Sequence, residues 1–279
     1  MPLRVFSLNL WHTAGPWSQR APLVREWVDR LQPDLMGFQE AVRMPGLDQV
    51  PELLEGSGYH LDHAVASPYW LEGREQEMGV VGNAVASRWP IVSREVLALP
   101  ESGDGEKRVA LAVTVSSPYG HLGFTVTHLN WKLHHGWIRE RQTAALCDFV
   151  LSHRPDEGFP PILVGDFNAE PDAAEIRYVT GHQSRDGRSV CFVDAWGRGG
   201  AGSGITWSNR NPNARLECEP ERRIDYAFVG LPRQRDGRGE VLECRVVCDE
   251  PRDGVWPADH FGVFAELRSE PIEAAGPHE

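Results

Sequence analysis

The residues best able to do chemistry in this chain recur at the ends of apolar runs. Asn9 follows VFSL, Glu40 follows MGFQ, and Asp166 and Asn168 close ILVGDFN. His128 and Asn130 close FTVTHLN, Asp225 lies within RRIDYAFV, and Asp259 and His260 stand at the head of HFGVF. A single Asp or Asn at a strand end is ordinarily a turn former, because its short polar side chain bonds the nearby backbone. The same residue types at one strand end after another point instead to side chains converging on a site. The donors are mostly oxygen, which suits Mg²⁺: it takes carboxylates and amides and keeps several waters. A cation held in this way polarises a phosphoryl oxygen, and a His backed by a carboxylate takes a proton from water. Zinc would call for a cluster richer in His and Cys. The spacing of Asp166 and Asn168 puts a carboxylate and an amide on one face of a strand.

These residues must be positioned by a sizeable scaffold. The chain has 279 residues, 41% of them hydrophobic, enough to bury a proper core. Its formal net charge of −12 weighs against a general grip on duplex DNA or an anionic membrane. It accommodates carboxylates gathered around a divalent cation that then meets a phosphate. The five cysteines, Cys147, Cys191, Cys218, Cys244 and Cys248, are odd in number and irregularly spaced. They read as buried free thiols in a reducing compartment. The opening MPLRVFSLNLW goes straight into strand-like alternation, with no basic start and apolar signal core. No apolar run reaches membrane-spanning length. The expectation is a soluble cytoplasmic protein.

The pattern predicts strands over 3–11, 34–40, 82–99 (two, broken near Pro90), 108–115, 121–131 and 160–168. The strands at 108–115 and 121–131 form a hairpin about SSPYG. Helices are expected over 18–31, 137–153 and 172–181, and Pro33 ends the first. ITWS, RRIDYAFV, EVLECRVVC and HFGVFAEL read as short strands, and 182–204 as loop. Two packed sheets flanked by helices would bury this α/β pattern.

Taken in order, SLNLW, GFQE, THLN, GDFN, RIDYAFV and ADHFGV resemble the endonuclease/exonuclease/phosphatase superfamily. It includes pancreatic-type deoxyribonucleases, abasic-site endonucleases, neutral sphingomyelinases, inositol polyphosphate 5-phosphatases and deadenylases. The resemblance runs from residue 4 to about residue 267. It implies a four-layer α/β/β/α sandwich of two mixed β-sheets over 1–268, with a polar flexible tail at 269–279. It further implies Mg²⁺, with Mn²⁺ as a substitute, held by Glu40 with Asn9 and Asp259. His260 would be the general base, its ring oriented by Asp225, and Asp166 would position the nucleophile or hold a second metal. Asn168 would donate to a phosphate oxygen, and His128 would act as general acid or transition-state stabiliser. Asn130 and Arg108 would contact phosphate. Asn83 in GNAVASRWP matches a family stretch or shapes a turn, and Arg43, Arg222 and Arg223 read either as substrate contacts or as surface ion pairs.

The implied activity is Mg²⁺-dependent hydrolysis of a phosphoester, above all a phosphodiester. The substrate is a small diester, a nucleic acid or a phospholipid head group. SLNLW and ADHFGV look closer to the sphingomyelinase-like branch than to abasic-site nucleases, which usually place a tyrosine where His128 stands. Against a lipid substrate, the chain shows no apolar hairpin tip for a bilayer. No membrane anchor and no protein partner are expected, and the chain reads as a monomer. A catalytically silent binding module would have lost the metal or base residues, and a glycosidic site on Glu40 and Asp166 would leave Asp225 and His260 unexplained. Of the tryptophans near these motifs, Trp11, Trp131, Trp137, Trp207 and Trp256, about half should be buried.

Overall fold

The computed structural model describes residues 1–70, 78–155, 158–232 and 236–272. In chain order the first half runs β1 (Leu3–Asn9), α1 (Trp17–Leu31), β2 (Leu35–Met44), β3 (Leu47–Asp48), α2 (Gln49–Leu53), β4 (His60–Tyr69), β5 (Gly79–Ser87), β6 (Ile91–Ala98), β7 (Val109–Ser117) and β8 (Gly120–His128). The second half runs α3 (Gly136–Ser152), β9 (Ile162–Asp166), α4 (Ala174–Val179), β10 (Phe192–Asp194), α5 (Ala195–Gly199), α6 (Pro212–Arg215), β11 (Asp225–Gly230), β12 (Val241–Val247) and β13 (Gly262–Leu267).

The strands form two mixed sheets. The first has the order β12-β13-β1-β2-β5-β4, with β3 beside β2, and the second β10-β11-β9-β8-β7-β6. β1 and β2 are parallel, as are β8 and β9. Alternation sends one set of apolar side chains to each face of a sheet, so each sheet buries both faces. Leu3, Val5, Leu35 and Val85 of the first sheet meet Leu111, Phe124, Val126 and Val164 of the second. The outer face of the first sheet, with Phe6, Leu8, Met36 and Phe38, packs on Val24, Val28 and Leu31 of α1 and Val50 and Leu53 of α2. The outer face of the second, with Leu163, Tyr226 and Phe228, packs on Leu146, Cys147 and Val150 of α3 and Ile176 and Val179 of α4. The result is the α/β/β/α sandwich. Each fully buried Leu, Val or Phe stabilises it by roughly 1.5–3 kcal/mol. Gly37 sets the spacing between sheets, because a Cβ there would lie 2.5 Å from Val164 Cγ2.

Several expectations need correction. The strand over 160–168 stops at Asp166, so Asn168 shares no strand face with it. ITWS makes only an isolated bridge, Trp207 to Arg222. The segment 182–204 holds β10 and α5, built on the Asp194 cap that accepts from Trp196 N. Strand β4 went unforeseen because its burial pattern mixes exposed and half-buried positions. Cys147, Cys244 and Cys248 are buried free thiols, but Cys191 and Cys218 are exposed. Of the five tryptophans, only Trp207 is buried; Trp131 and Trp137 are exposed. Ser269 Oγ donates to the Met1 carbonyl and Ile272 N to the Asp236 carbonyl, while 273–279 lie outside the described residues. Among the described residues, no helix is long and apolar enough to cross a membrane.

Candidate active site

Strand register assembles the centre of the site. His128 pairs with Asp166 across β8 and β9, and Asp166 pairs with Asp225 across β9 and β11. Register partners share a face, so His128, Asp166 and Asp225 form a row on the second sheet. Asn9, at the end of β1 in the first sheet, reaches across: its Nδ2 donates to Asp166 Oδ2 at 3.2 Å and to Glu40 Oε1 at 3.4 Å. Glu40 is aimed inward by a bulge, since β2 spends an extra residue against β5 between Phe38 and Ala41. The bulge puts Glu40 at φ +54°, a left-handed backbone that is strained for a non-glycine residue. Asn168 has φ +50°, a region Asn tolerates, and its N–H donates to Asp166 Oδ1 at 2.9 Å. That turn, rather than strand alternation, brings the Asn168 carboxamide to 3.1 Å from His128 Nε2.

His260 lies ahead of β13, where its Nδ1 donates to Asp225 Oδ2 at 2.9 Å and its Nε2 is 3.7 Å from Asp166 Oδ2. Its backbone N–H donates to Asp259 Oδ1 at 2.9 Å, and the Trp207 indole packs edge-on at 4.8 Å. The two buried histidines that face Asp166 are driven apart electrostatically. Burial alone would lower the His260 pKa, but the charges of Asp225, Asp166 and Asp259 outweigh it and hold the ring well above its usual range. Burial, with Arg108 and His260 as neighbouring cations, holds His128 well below that range. Burial and the Asp225 charge push Asp166 up to about 6. Burial also pushes Asp259 up to about 7; Glu40 adds to the rise, while His260 and Arg20 work against it. The charged form is thus favoured at His260 and the neutral form at His128.

The donor set fits a hard divalent cation. Among the described residues, donor atoms of Asp166, Asp225 and His260 lie within 4.8 Å of one another. Asp225 Oδ1 is buried without a hydrogen-bond partner in the protein. The Glu40 charge adds to the cost of ionising Asp259, a cost that a bound cation would offset.

Beside this cluster opens a cavity of about 230 Å³, walled by His12, Glu40, Tyr69, Asn83, Arg108 and His128 among others. The sequence model of the Endonuclease/Exonuclease/phosphatase family matches residues 6–260. The chain belongs to this family. D. rerio TDP2 complexed with single strand DNA product superposes with a TM-score of 0.74 at 17% identity, covering 96% of this chain and 99% of that one. The human Nocturnin catalytic domain with bound sulfate gives 0.72 at 20% identity, covering 96% and 94%. An endonuclease/exonuclease/phosphatase family protein from Bacteroides thetaiotaomicron gives 0.73 at 20% identity, covering 100% and 98%. No curated protein matches the chain in sequence. The endonuclease/exonuclease/phosphatase fold is that of hydrolases acting on phosphoester bonds.

Within this family domain the remaining expected residues fall in different places. Arg108 joins the site, donating from Nη1 to His128 Nδ1 at 2.8 Å and from Nε to Glu106 Oε1 at 2.7 Å. Asn130 is turned to Glu106, donating to Oε2 at 2.8 Å, and accepts from Lys132 N at 3.1 Å. Asn83 links the sheets, donating to the Val109 carbonyl at 2.8 Å. Arg43 pairs with Asp48, Arg222 with Glu219 and Arg223 with Asp194.

Sequence reasoning passed over His12, whose Nε2 is 3.9 Å from Glu40 Oε2, and Glu106, which anchors Arg108. It also passed over Arg20, fully buried, which donates to the carbonyls of Leu10 and Pro257, both at 2.9 Å. His12 follows Asn9 by three residues in SLNLWH, so its nearness to the motif was the one available signal. Nothing local distinguishes Arg20 from any other helix arginine.

Proposed function

We propose that this chain is a Mg²⁺-dependent phosphodiesterase, working as one domain over 1–268, that attacks its substrate with water activated by His260. The observation that carries the reading is the Asp225–His260 pair set 3.7 Å from Asp166. Asp225 accepts from Nδ1 and so leaves Nε2 facing Asp166, the nitrogen that takes the proton. The carboxylate also stabilises the imidazolium that forms. Asp166, restrained by Asn9 and by the Asn168 N–H, positions the attacking water. Glu40, Asn9 and Asp259 would hold the Mg²⁺, for which Mn²⁺ would substitute. When bound, the cation polarises the phosphoryl oxygen and offsets the charge that develops there. Asn168 and His128 face the same phosphoryl group, and the cavity beside Glu40 takes the leaving group.

A small diester is favoured as substrate, because the net charge of −12 repels a long polyanion. A second reading is single-stranded nucleic acid. It is supported by the TDP2 relative seen with a single-strand DNA product and by the exposed Trp131 and Trp137, which offer stacking faces. Two exposed free thiols, Cys191 and Cys218, suit a reducing cytoplasm.

The test is hydrolysis of bis(p-nitrophenyl) phosphate against p-nitrophenyl phosphate, with and without Mg²⁺. Mg²⁺-dependent release from the diester, lost in His260→Ala, is the expected result. Preference for the monoester would redirect the reading to a phosphatase, and release that survives His260→Ala would remove its base.

A further inference from the structure

His128 is flanked by a guanidinium and a carboxamide. Arg108 Nη1 approaches Nδ1 at 2.8 Å, and the Asn168 Nδ2 approaches Nε2 at 3.1 Å. A neutral imidazole carries one N–H and one lone pair, so it cannot accept from both and still hold its proton. Arginine has no acceptor and cannot turn into one. A carboxamide can: rotating Asn168 by half a turn presents its oxygen, at the cost of a 3.3 Å contact with the Leu129 carbonyl. The arginine therefore claims Nδ1, and the ring proton goes to Nε2. There it meets Asp166 Oδ2 at 3.4 Å and the Asn168 carboxamide. A doubly protonated ring would set an N–H against the guanidinium at 2.8 Å, charge against charge.

Arg108 is itself held in place. Its Nε donates to Glu106 Oε1 at 2.7 Å, and the other Glu106 oxygen accepts from Asn130 Nδ2 at 2.8 Å. Asp104, two residues earlier, is tied to Lys132. The chain Asn130–Glu106–Arg108–His128 thus runs from the end of β8 around to the ring it carries. It accounts for the direction in which Asn130 points, which a direct phosphate contact does not.

We propose that Arg108, anchored by Glu106 and Asn130, is a positioning residue that fixes His128 as a neutral ring with its proton on Nε2. His128 then holds Asp166 and the Asn168 carboxamide in place through that N–H, beside the phosphoryl group, and does not deliver a proton as a general acid. The catalytic consequence rests on the phosphodiesterase reading; the state of the ring does not.

The experiment is a long-range ¹H–¹⁵N correlation spectrum of the full chain labelled with ¹⁵N-histidine, with His128→Gln to assign the ring. It is paired with diester kinetics. The expected spectrum shows a protonated Nε2 and an Nδ1 lone pair at neutral pH. In Arg108→Met, Nδ1 becomes partly protonated. In that variant kcat falls by roughly ten- to a hundredfold, the usual size of a partner that orients an imidazole, with KM within about threefold. Arg108→Lys, which keeps a donor, restores part of the loss. A wild-type ring protonated on Nδ1 or on both nitrogens overturns the proposal. So does an Arg108→Met variant whose ring is unchanged and whose KM alone rises, which would make Arg108 a phosphate ligand. If the wild type hydrolyses neither ester, the functional reading fails while the spectrum still decides the ring state.

Discussion

Asn9 and Asp166 tie the two sheets together at the site: Asn9 Nδ2, at the end of β1, donates 3.2 Å to Asp166 Oδ2, at the end of β9. The same amide reaches Glu40 at 3.4 Å, so one side chain spans a candidate metal ligand and the residue proposed to position water. Asn9→Ala strips a buried carboxylate of a donor. It should cost about 1–3 kcal/mol, read by urea unfolding of metal-free protein, and diester hydrolysis should fall with it. Unchanged stability would mean that the bond across the sheets contributes nothing.

Asp225 raises the His260 pKa, by charge and by hydrogen bond, against the lowering effect of burial. A general base works only when neutral, so diester turnover should rise with pH through a value above the usual histidine range. Asp225→Asn should move that rise to lower pH and reduce the plateau, by roughly 10²–10⁴-fold if the Asp also fixes the tautomer. A pH profile identical to wild type would separate Asp225 from the base.

Metal-free stability should fall as pH rises from 6.5 to 8.5. Asp259, whose folded pKa is raised to about 7, loses the last of its contribution as pH climbs past that value, whereas Asp166, raised to about 6, has lost most of its own by pH 6.5. His260 is raised too, and its contribution is lost above the unfolded histidine range. His128 is lowered, which costs the fold only below that range. Mg²⁺ needs the carboxylates ionised, so millimolar Mg²⁺ should raise Tm more at pH 8.5 than at pH 5.5. Equal shifts at both pH values would place the cation elsewhere.

Arg139 and Glu175 form a buried ion pair at 2.7 Å, and Arg139 also donates to the Lys132 carbonyl at 2.8 Å. Removing one partner strands the other charge, at about 3–5 kcal/mol. Arg139→Met alone should therefore unfold at lower denaturant than the double variant Arg139→Met/Glu175→Leu. If the double variant were the weaker by the sum of both singles, the two residues would be uncoupled.

Much of this protein was legible before folding. The runs VFSLN, GFQE, FTVTHLN, ILVGDFN and RIDYAFV carry their strand period and their terminal chemistry in the same few residues. Period and residue type are local properties, so β1, β2, β8, β9 and β11 and the identity of their polar ends could be read directly. The order of those motifs pointed to the family for the same reason.

What the chain order leaves open is register and approach. That His128, Asp166 and Asp225 form one row depends on how β8, β9 and β11 align, across 97 positions from the first residue to the last (225 − 128). That Glu40 points inward depends on a bulge, and Asn168 on a left-handed turn rather than on the strand face its spacing suggested. Arg108 meeting His128, Asn130 turning to Glu106 and Arg20 binding carbonyls of two separate loops are likewise contacts between distant segments. Residue types and strand period belong to single segments and survive in the sequence. Distances and pKa values arise only when two sheets close face to face and bury their charges together, and that is a property of the packed fold.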